Sequence, residues 1–382
     1  MKAEFSCEKL VVLLVRSVML VASIMLFVAC AAPAPVAPIV VATTAPAQIP
    51  TPTLAASPTP VPTPTLTPTP APELRPLTNG GCCMLPAWSP DSRQVLFIDK
   101  PSGAATAGVY AIGIDAGTSQ PPQLIGRVGL YSPDRSLAAF AEGTRTIVEK
   151  ISTGESWAMP NNGLAVEFAP DNKHLAWEQE SINGPYDERL NDLYLANIDG
   201  TDAVRVTRLY GGGLVGWMPQ GLSLMFLGRP SLNTHTRTLT ILDLRTNVAA
   251  DLAAAERISG VTISKDGTWA AYFISFDVDK SRNGIWLART DGSQSRRLDL
   301  WGAYQWRDES HLLVIPIRDS ADKAFAVWQF DAASGEGRPL TDAAVTSLDI
   351  LNGDWRVSPD GQYLVYVNNV DRNLWLLKLP KQ

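Results

Sequence analysis

The chain has 382 residues, of which 46% are hydrophobic and 18% charged, so it can fill the core of one large domain or two ordinary ones. Its net charge is −6, and the body of the chain contains no cluster of Lys and Arg. Because nucleic-acid-binding proteins usually present a basic face, this composition argues against DNA or RNA as a partner.

The N-terminus has the pattern of an export signal. Three basic residues precede or interrupt an apolar stretch whose core, residues 17–29, ends at Cys30, and a positive flank before an apolar core is typical of such signals. The last four residues of the stretch, FVAC, are similar to the lipobox of bacterial lipoproteins. The resemblance implies that residues 1–29 are a signal peptide and that Cys30 is acylated. An uncleaved signal anchor and an ordinary cleaved signal are the alternatives.

Residues 30–72 form a Pro- and Thr-rich linker. From Ala31 to Pro72 there is no charged residue, and 13 of the 42 positions are Pro. Pro favours an extended polyproline conformation because it fixes φ and has no amide hydrogen. At about 3.1 Å per residue, we expect a disordered spacer on the order of 100 Å long before a folded body at 73–382.

A hairpin signature recurs through this body. Its clearest copy is DWRVSPDGQYLVYV, from Asp354 to Val367, in which a Ser-Pro-Asp-Gly turn separates two apolar runs. Six further copies begin at Trp88, Tyr131, Phe168, Trp217, Ile263 and Trp306. The third residues of successive copies are 43, 37, 49, 46, 43 and 51 positions apart. A period of about 40 to 50 residues made only of strands predicts propeller blades, each with four antiparallel strands.

The two ends of the body complement each other. The seventh copy ends after its third strand, NLWLLKL from Asn373, whereas the body begins with a lone strand, Leu74 to Thr78. This strand, LRPLT, matches GRPLT at 337 in four of five residues. We therefore predict an all-β, seven-bladed β-propeller whose ring is closed by the N-terminal strand completing the last blade. Six blades are the alternative.

The repeats resemble those of TolB-like and WD-repeat-like β-propeller proteins, and more distantly the propeller of prolyl oligopeptidase-type enzymes. The resemblance is carried by the SPD and SPDG turns and by the aromatic or apolar residue before each turn, and it covers residues 73–382. It implies that the turn joins the first two strands of each blade and that the preceding residue packs between blades.

Motifs for catalysis and metal binding are scarce. The sequence contains no G-x-S-x-G elbow, and its three His residues stand far apart in the chain. The run Asp277 to Gly284 places oxygen ligands at alternating positions but lacks the glycine at its sixth place and the distant Glu of a calcium loop, so a solvated loop is the preferred interpretation. We expect no cofactor and no metal, and we leave enzyme activity open while favouring its absence.

The blade topology predicts where a ligand would bind. The turns between first and second strands and between third and fourth strands share one face, called here the turn face. The loops between second and third strands and the connectors between blades share the other, the long-loop face, and variable loops on a rigid scaffold usually carry binding. The expected long segments are 98–108, 178–192, 228–238, 275–284 and 317–324, with connectors 301–304 and 341–355. The candidate ligand-binding residues on them are Tyr186, Asp187, Glu188, Arg189, Asp277, Asp279, Arg282, Trp301, Arg318 and Asp319.

Cys82 and Cys83 lie on the same face, in the connector that leads into the first blade. They are the only thiols left once Cys7 is removed and Cys30 is acylated. Exported proteins favour oxidised cysteines, so a vicinal disulfide and a pair of free buried thiols are the two expected states.

Two functions of different class follow from these patterns. The first is a non-catalytic binding or scaffold module that recognises a protein, peptide or glycan. The second is a propeller-type hydrolase or lyase that acts on carbohydrate with loop carboxylates as acid and base. In both cases we expect a monomer that is lipid-anchored to the outer face of the cytoplasmic membrane.

Overall fold

The computed structural model describes residues 73–159, 161–181, 184–317, 325–346 and 348–381. All of them belong to the second of the two units into which the chain divides, Ala71–Gln382. They form 27 strands and two 3₁₀ helices of three residues each, η1 (Tyr186–Glu188) and η2 (Lys280–Arg282). Neither helix in this part of the chain has the length and hydropathy needed to cross a membrane. The described body is therefore all-β.

Side-chain hydrogen bonds close the first hairpin of most repeats. In the last repeat, Ser358 Oγ donates to Asp360 Oδ1 over 2.5 Å and accepts from the amide of Tyr363 over 2.9 Å. The same two bonds are made by Ser89, Ser132 and Ser264. The residue after the aspartate has a positive φ, 69° at Gly361. Glycine adopts this conformation without steric cost, which explains its place in the motif.

Five sheets contain four antiparallel strands each, as expected for propeller blades. One joins β1 (Leu74–Pro76) to β27 (Leu374–Lys378), β26 (Tyr363–Asn368) and β25 (Ile350–Val357). The next along the chain are β2 (Met84–Trp88), β3 (Gln94–Asp99), β4 (Gly108–Gly113) and β5 (Gln123–Arg127), then β6 (Leu130–Tyr131), β7 (Leu137–Glu142), β8 (Arg145–Lys150) and β9 (Ser156–Met159). The remaining two are β17 (Ile258–Ile263), β18 (Trp269–Ile274), β19 (Gly284–Arg289) and β20 (Ser295–Leu298), then β21 (Gly302–Trp306), β22 (His311–Pro316), β23 (Trp328–Asp331) and β24 (Gly337–Pro339).

The sixth sheet has seven strands because one long strand serves two four-stranded units. Its strands are β10 (Val166–Phe168), β11 (His174–Glu180), β12 (Leu190–Asn197), β13 (Val204–Trp217), β14 (Ser223–Arg229), β15 (Arg237–Asp243) and β16 (Val248–Ala255). The first half of β13 pairs with β12 and is the fourth, or outer, strand of one unit. Its second half pairs with β14 and is the first, or inner, strand of the next unit. The chain therefore passes from one unit to the next within β13.

Three tryptophans that precede a turn link neighbouring units. Trp217 Nε1 donates to the carbonyl of Glu167, and Trp306 Nε1 donates to the carbonyl of Thr262, each over 3.3 Å. Each bond runs from the inner strand of one unit to the inner strand of the preceding unit. Trp88 Nε1 donates to the carbonyl of Arg356 over 3.1 Å in the same way. This last bond joins the first unit along the chain to the last.

Apolar layers fill the space between units. In the layer between the last and first units, Leu77 and Leu374 are fully buried beside Phe97 and Val367. Leu77 directly follows β1, which pairs antiparallel with β27 in the register Leu74 to Leu377. Burial of apolar surface in these layers is the main stabilising contribution to the fold.

Several predicted loop boundaries are wrong because strands extend into them. β11 continues to Glu180 and β12 begins at Leu190, so the loop predicted at 178–192 is shortened to 181–189. Glu178 pairs with Leu193 in this ladder. Because its carboxylate accepts hydrogen bonds there, this polar side chain can lie inside the sheet. β21 and β25 likewise begin inside the predicted connectors 301–304 and 341–355.

Candidate functional site

The loop 184–189 is fixed to the neighbouring unit by two arginines. Arg237, which is buried at the start of β15, makes an ion pair with the Asp187 carboxylate. Arg229, at the end of β14, donates to the carbonyl of Asp187. The Arg237 guanidinium also lies 5.6 Å from the centre of the exposed Tyr186 ring, close enough for a cation–π interaction. The structure therefore presents Tyr186 from a loop that is held in place.

The remaining two candidates of this loop differ in their contacts. Arg189 forms an ion pair with Glu180 over 3.2 Å and donates to the carbonyl of Gly184. Glu188 is exposed at the end of η1. Arg189 thus helps to close the loop, whereas the Glu188 side chain is directed to solvent and is available to a ligand.

A carboxylate lies beneath this loop, between β11 and β13. Glu178 accepts a hydrogen bond from Asn191 Nδ2 over 3.1 Å and a second one from the amide of Leu214. The absence of a side chain at Gly213 leaves the space that the carboxylate occupies. Burial raises the pKa of Glu178, and the two hydrogen bonds act in the opposite direction.

A second carboxylate, that of Glu167 on the inner strand β10, lies near the first. Protein atoms around it limit its hydration, and together with the negative charge of Glu178 they raise its pKa to about 7. The Glu167 side chain nevertheless remains exposed to solvent. The pair therefore combines a hydrogen-bonded carboxylate with one that exchanges a proton near neutral pH.

We expect the charge of Glu167 to make the protein less stable as the pH rises. A carboxyl group whose pKa is higher in the folded state than its ordinary value of 4.5 contributes stability that is complete below pH 4.5 and is lost as the pH rises through about 7. Relative to the wild type, the free energy of unfolding of Glu167→Gln should therefore rise by about 1 kcal/mol between pH 5 and pH 8. The value is modest because the Glu167 side chain is open to water.

Urea denaturation of the full chain at both pH values measures this difference. Glu336→Gln, which changes an exposed glutamate in a turn of another unit, is the control and should follow the wild type. Parallel pH dependence of the wild type and Glu167→Gln would contradict the proposed role of Glu167.

The loop 275–283 is fixed by its own polar side chains. The buried Asp277 makes an ion pair with Arg282 over 3.2 Å and accepts from the amide of Asp279. The Asp279 carboxylate, just before η2, accepts from the amide of Ser281 within it. All three predicted candidates therefore shape this loop, and of them Asp279 is the most exposed.

The two loops are neighbours through the edge of β16. Arg237 pairs with Ala255 across β15 and β16, and Arg282 donates to the carbonyl of Ala254 over 2.6 Å. Loops 184–189 and 275–283 thus flank the end of the same strand pair. The structure brings seven of the predicted candidates, Tyr186 to Arg189 with Asp277, Asp279 and Arg282, into one continuous region of the long-loop face.

Exposed apolar side chains concentrate on this face. Of the fourteen large apolar side chains that are exposed in the described part of the chain, nine lie in long loops, in connectors or at the long-loop end of a strand. These nine are Met84, Tyr186, Leu232, Phe276, Val278, Trp301, Ile317, Val345 and Val370. We call this set the apolar rim.

Trp301, the last described candidate, belongs to the apolar rim. Its ring stands edge-to-face against Phe273 with the centroids 5.0 Å apart, and 43% of the residue surface remains exposed. Phe276, three residues after Phe273 in the chain, has the Arg257 guanidinium 5.3 Å from its ring centre. Supported aromatic rings of this kind lose little conformational freedom when a partner packs on them.

Three predicted positions lie outside the described residues, namely Arg318, Asp319 and Cys30. Cys82 and Cys83 are described and are joined by a disulfide in the structure. Among the described residues, no group of three or more His, Cys, Asp or Glu is placed to hold a metal ion.

Four residues of this region were not among the sequence-based candidates, namely Glu167, Glu178, Arg229 and Arg237. Glu167 belongs to an inner strand and Glu178 to a segment predicted as loop, and both arginines stand at strand ends. Their importance arises from contacts between units, for which the local sequence carries no signal.

Comparison with solved structures identifies the class of fold. Oligogalacturonate lyase from Vibrio parahaemolyticus is 12% identical, with 81% of this chain and 98% of that chain covered and a TM-score of 0.56. An oligogalacturonate lyase in complex with manganese is 14% identical, with 81% and 91% covered and a TM-score of 0.54. The putative TolB from Agrobacterium tumefaciens is 18% identical, with 79% and 91% covered and a TM-score of 0.39.

At these identities the likeness concerns the fold alone, and the fold is a β-propeller. The predicted β-propeller fold is thereby confirmed. No protein-family model matches the chain, and a search of curated protein sequences finds no relative.

Proposed function

We propose that this chain is a membrane-tethered, extracytoplasmic β-propeller that acts as a non-catalytic binding or scaffold module for a protein, peptide or glycan. The observation that carries the proposal is the apolar rim, because nine of fourteen exposed large apolar side chains lie on the one face where loops are long. Exposed apolar side chains concentrated on one face favour an interaction site there. The arginines and carboxylates beside it supply the polar contacts that specific recognition requires.

A closed ring of seven blades is part of the proposal. It is supported by the pairing of β1 with β27. It is also supported by the hydrogen bond from Trp88 to the last unit, because Trp217 and Trp306 make the equivalent hydrogen bond to the unit that precedes each of them along the chain. Counting β13 in two units, the strands make seven sets of four. In such a ring Glu167 faces the central channel.

The location and the tether rest on the N-terminal sequence. The resemblance of FVAC to a lipobox supports acylation of Cys30, and the uncharged segment 31–72 supports a spacer. The proposed protein is a monomer on the outer face of the cytoplasmic membrane. Its acidic net charge of −6 supports a partner other than nucleic acid.

A second candidate function is a carbohydrate-active hydrolase or lyase. One observation favours it, namely the neighbouring carboxylates of Glu167 and Glu178, of which the first has a pKa of about 7. A carboxylic acid that titrates near the working pH can act as a general acid or base. The binding proposal has the wider support because it uses the whole long-loop face.

The binding proposal is tested with two matched double variants of the full chain. Tyr186→Ala/Trp301→Ala removes exposed aromatic rings from the long-loop face, and Ile151→Ala/Val204→Ala removes exposed apolar side chains from the turn face. Both are applied to a glycan array and to immobilised cell-envelope proteins. We expect the first variant to bind at least tenfold more weakly than the wild type, because aromatic anchors dominate interface energies, and the second to bind normally.

Equal loss of binding in both variants would contradict the proposal, and so would unchanged binding in the first. The enzyme candidate is separated by incubating any bound glycan with the protein and measuring its mass. Shortening of the glycan by the wild type but not by Glu167→Gln would favour the enzyme. An intact glycan would favour the binding module.

A further inference from the structure

The disulfide between Cys82 and Cys83 lies where the last unit meets the first. Cys83 is 6% exposed and belongs to the apolar layer that also contains Leu77 and Leu374. Cys82 is only partly buried at the border of the same layer. Of the two sulfur-bearing residues, Cys82 is therefore the more accessible to a reagent from solution.

This disulfide does not stabilise the fold as an ordinary cross-link does. A cross-link lowers the conformational entropy of the unfolded chain, and this loss grows with the logarithm of the number of residues in the loop that it closes. Cys82 and Cys83 are adjacent, with their Cα atoms 3.7 Å apart, so the closed loop contains only these two residues. Its effect must therefore be local, on the backbone of the connector itself.

The backbone of the connector has an unusual conformation. Cys83 has φ 85°, and Gly80 and Gly81 before it are also in the positive range. Leu85, the second residue of β2, has φ 53°. For residues with a side chain this conformation is sterically unfavourable, and it persists only where the surroundings enforce it. The bond between the two sulfur atoms is one such constraint, and β2 begins at the next residue, Met84.

One hydroxyl group serves the disulfide and the last unit together. Thr78 Oγ1 lies 3.4 Å from Cys82 Sγ and 3.8 Å from Cys83 Sγ, and it accepts a hydrogen bond from the amide of Leu374 over 2.9 Å. The sulfur atoms of a disulfide have no hydrogen to donate. The hydroxyl of Thr78, which donates to Asn373 Oδ1 over 3.4 Å, is therefore the group that can turn to donate to the sulfur atoms. It lies within reach of a thiolate formed on either of them.

We propose that Cys82–Cys83 is a redox-exchange site that reacts with an external dithiol. A thiolate of the dithiol attacks Cys82 Sγ, the bond between the two protein sulfur atoms breaks, and Cys83 leaves as a thiolate to which Thr78 can donate. The second dithiol sulfur then attacks the mixed disulfide and releases Cys82. The protein gains two electrons and two protons, and the dithiol is oxidised to its own disulfide.

Reduction removes the constraint on Cys83 and allows it to leave the positive φ range. The segment 80–85 and the start of β2 then loosen, while the pairing of β1 with β27 remains. The site thus links the redox state of the surroundings to one edge of the long-loop face. The inference depends only on the connector and holds whether or not this face binds a partner.

The test is a redox titration of the full chain with dithiothreitol at pH 8, followed by alkylation and hydrogen exchange measured on peptides by mass spectrometry. We expect the peptide with Cys82 and Cys83 to carry no alkyl group before reduction and two after it. Amide exchange in residues 80–88 should become at least tenfold faster in the reduced protein. Residues 258–274, in β17 and β18, serve as the internal reference and should not change.

The variant Cys82→Ser/Cys83→Ser is expected to exchange rapidly in this segment with or without dithiothreitol. Should this variant fail to fold, the wild-type titration alone decides the question. The proposal is overturned if both cysteines become alkylated while exchange in 80–88 changes less than twofold. It is also overturned if the disulfide resists the dithiol in the folded protein.

Discussion

Leu77→Ala is expected to lower the free energy of unfolding by about 3 kcal/mol, since it leaves a cavity in the layer between the last and first units. Leu77 is fully buried and contacts the layer formed with Phe97, Val367 and Leu374. Its backbone amide also donates to the carbonyl of Leu374 over 2.7 Å, so the backbone on both sides of the cavity is held and cannot easily collapse. Urea denaturation of the full chain measures the loss.

Leu124→Ala is the matched control, because Leu124 is 64% exposed on the outer strand β5. It should change stability by less than about 0.5 kcal/mol. Deletion of residues 73–79 removes β1 together with Leu77 and is expected to cost more than the point substitution. A deletion variant that unfolds like the wild type would exclude ring closure by the N-terminal strand.

Alanine substitutions along the glycine run of β13 are expected to have graded effects. A Cβ at Gly212 would fall on the carbonyl oxygen of Leu227, a backbone atom of the paired strand that cannot move independently. We expect Gly212→Ala to cost about 3 kcal/mol, at the upper end of the range for overpacking. A Cβ at Gly213 would meet the Glu178 carboxylate, which can shift at the cost of its two hydrogen bonds, about 1–2 kcal/mol.

Gly221→Ala completes the series, since a Cβ there meets no atom within 4 Å, and it should be neutral. Thermal or urea unfolding of the three variants gives the order. Removal of the carboxylate with Glu178→Ala should reduce the additional cost of Gly213→Ala but not that of Gly212→Ala. Equal costs at positions 212 and 213 would show that the Glu178 carboxylate does not occupy the space beside Gly213.

The repeated hairpins were predictable because their structure is local. Ser358, Asp360 and Gly361 satisfy their own turn through short side-chain bonds and a positive φ, and none of this depends on another unit. The alternation of apolar residues around the turn then sets the strands. β13 was not predictable in the same way, because glycines that usually interrupt a strand here permit close approach of β14.

The candidate site was predictable in position but only partly in composition. The topology placed Tyr186 and Trp301 on the long-loop face, where the structure has them exposed. The residues that hold the loops, such as Arg237, come from other units and are identified only by long-range contacts. Asp277 was nominated as a ligand-binding residue, whereas its carboxylate is engaged by Arg282 and by the backbone.

The direction of β1 has a consequence for how this protein can be handled and displayed. β1 runs antiparallel to β27, so Glu73 lies beside Lys378 at the turn-face end of both strands, with the Glu73 carbonyl accepting from the Lys378 amide over 2.9 Å. A tag or surface linkage attached at either residue is therefore joined to the described body at the turn face. The apolar rim and the Cys82–Cys83 pair lie at the opposite ends of the strands.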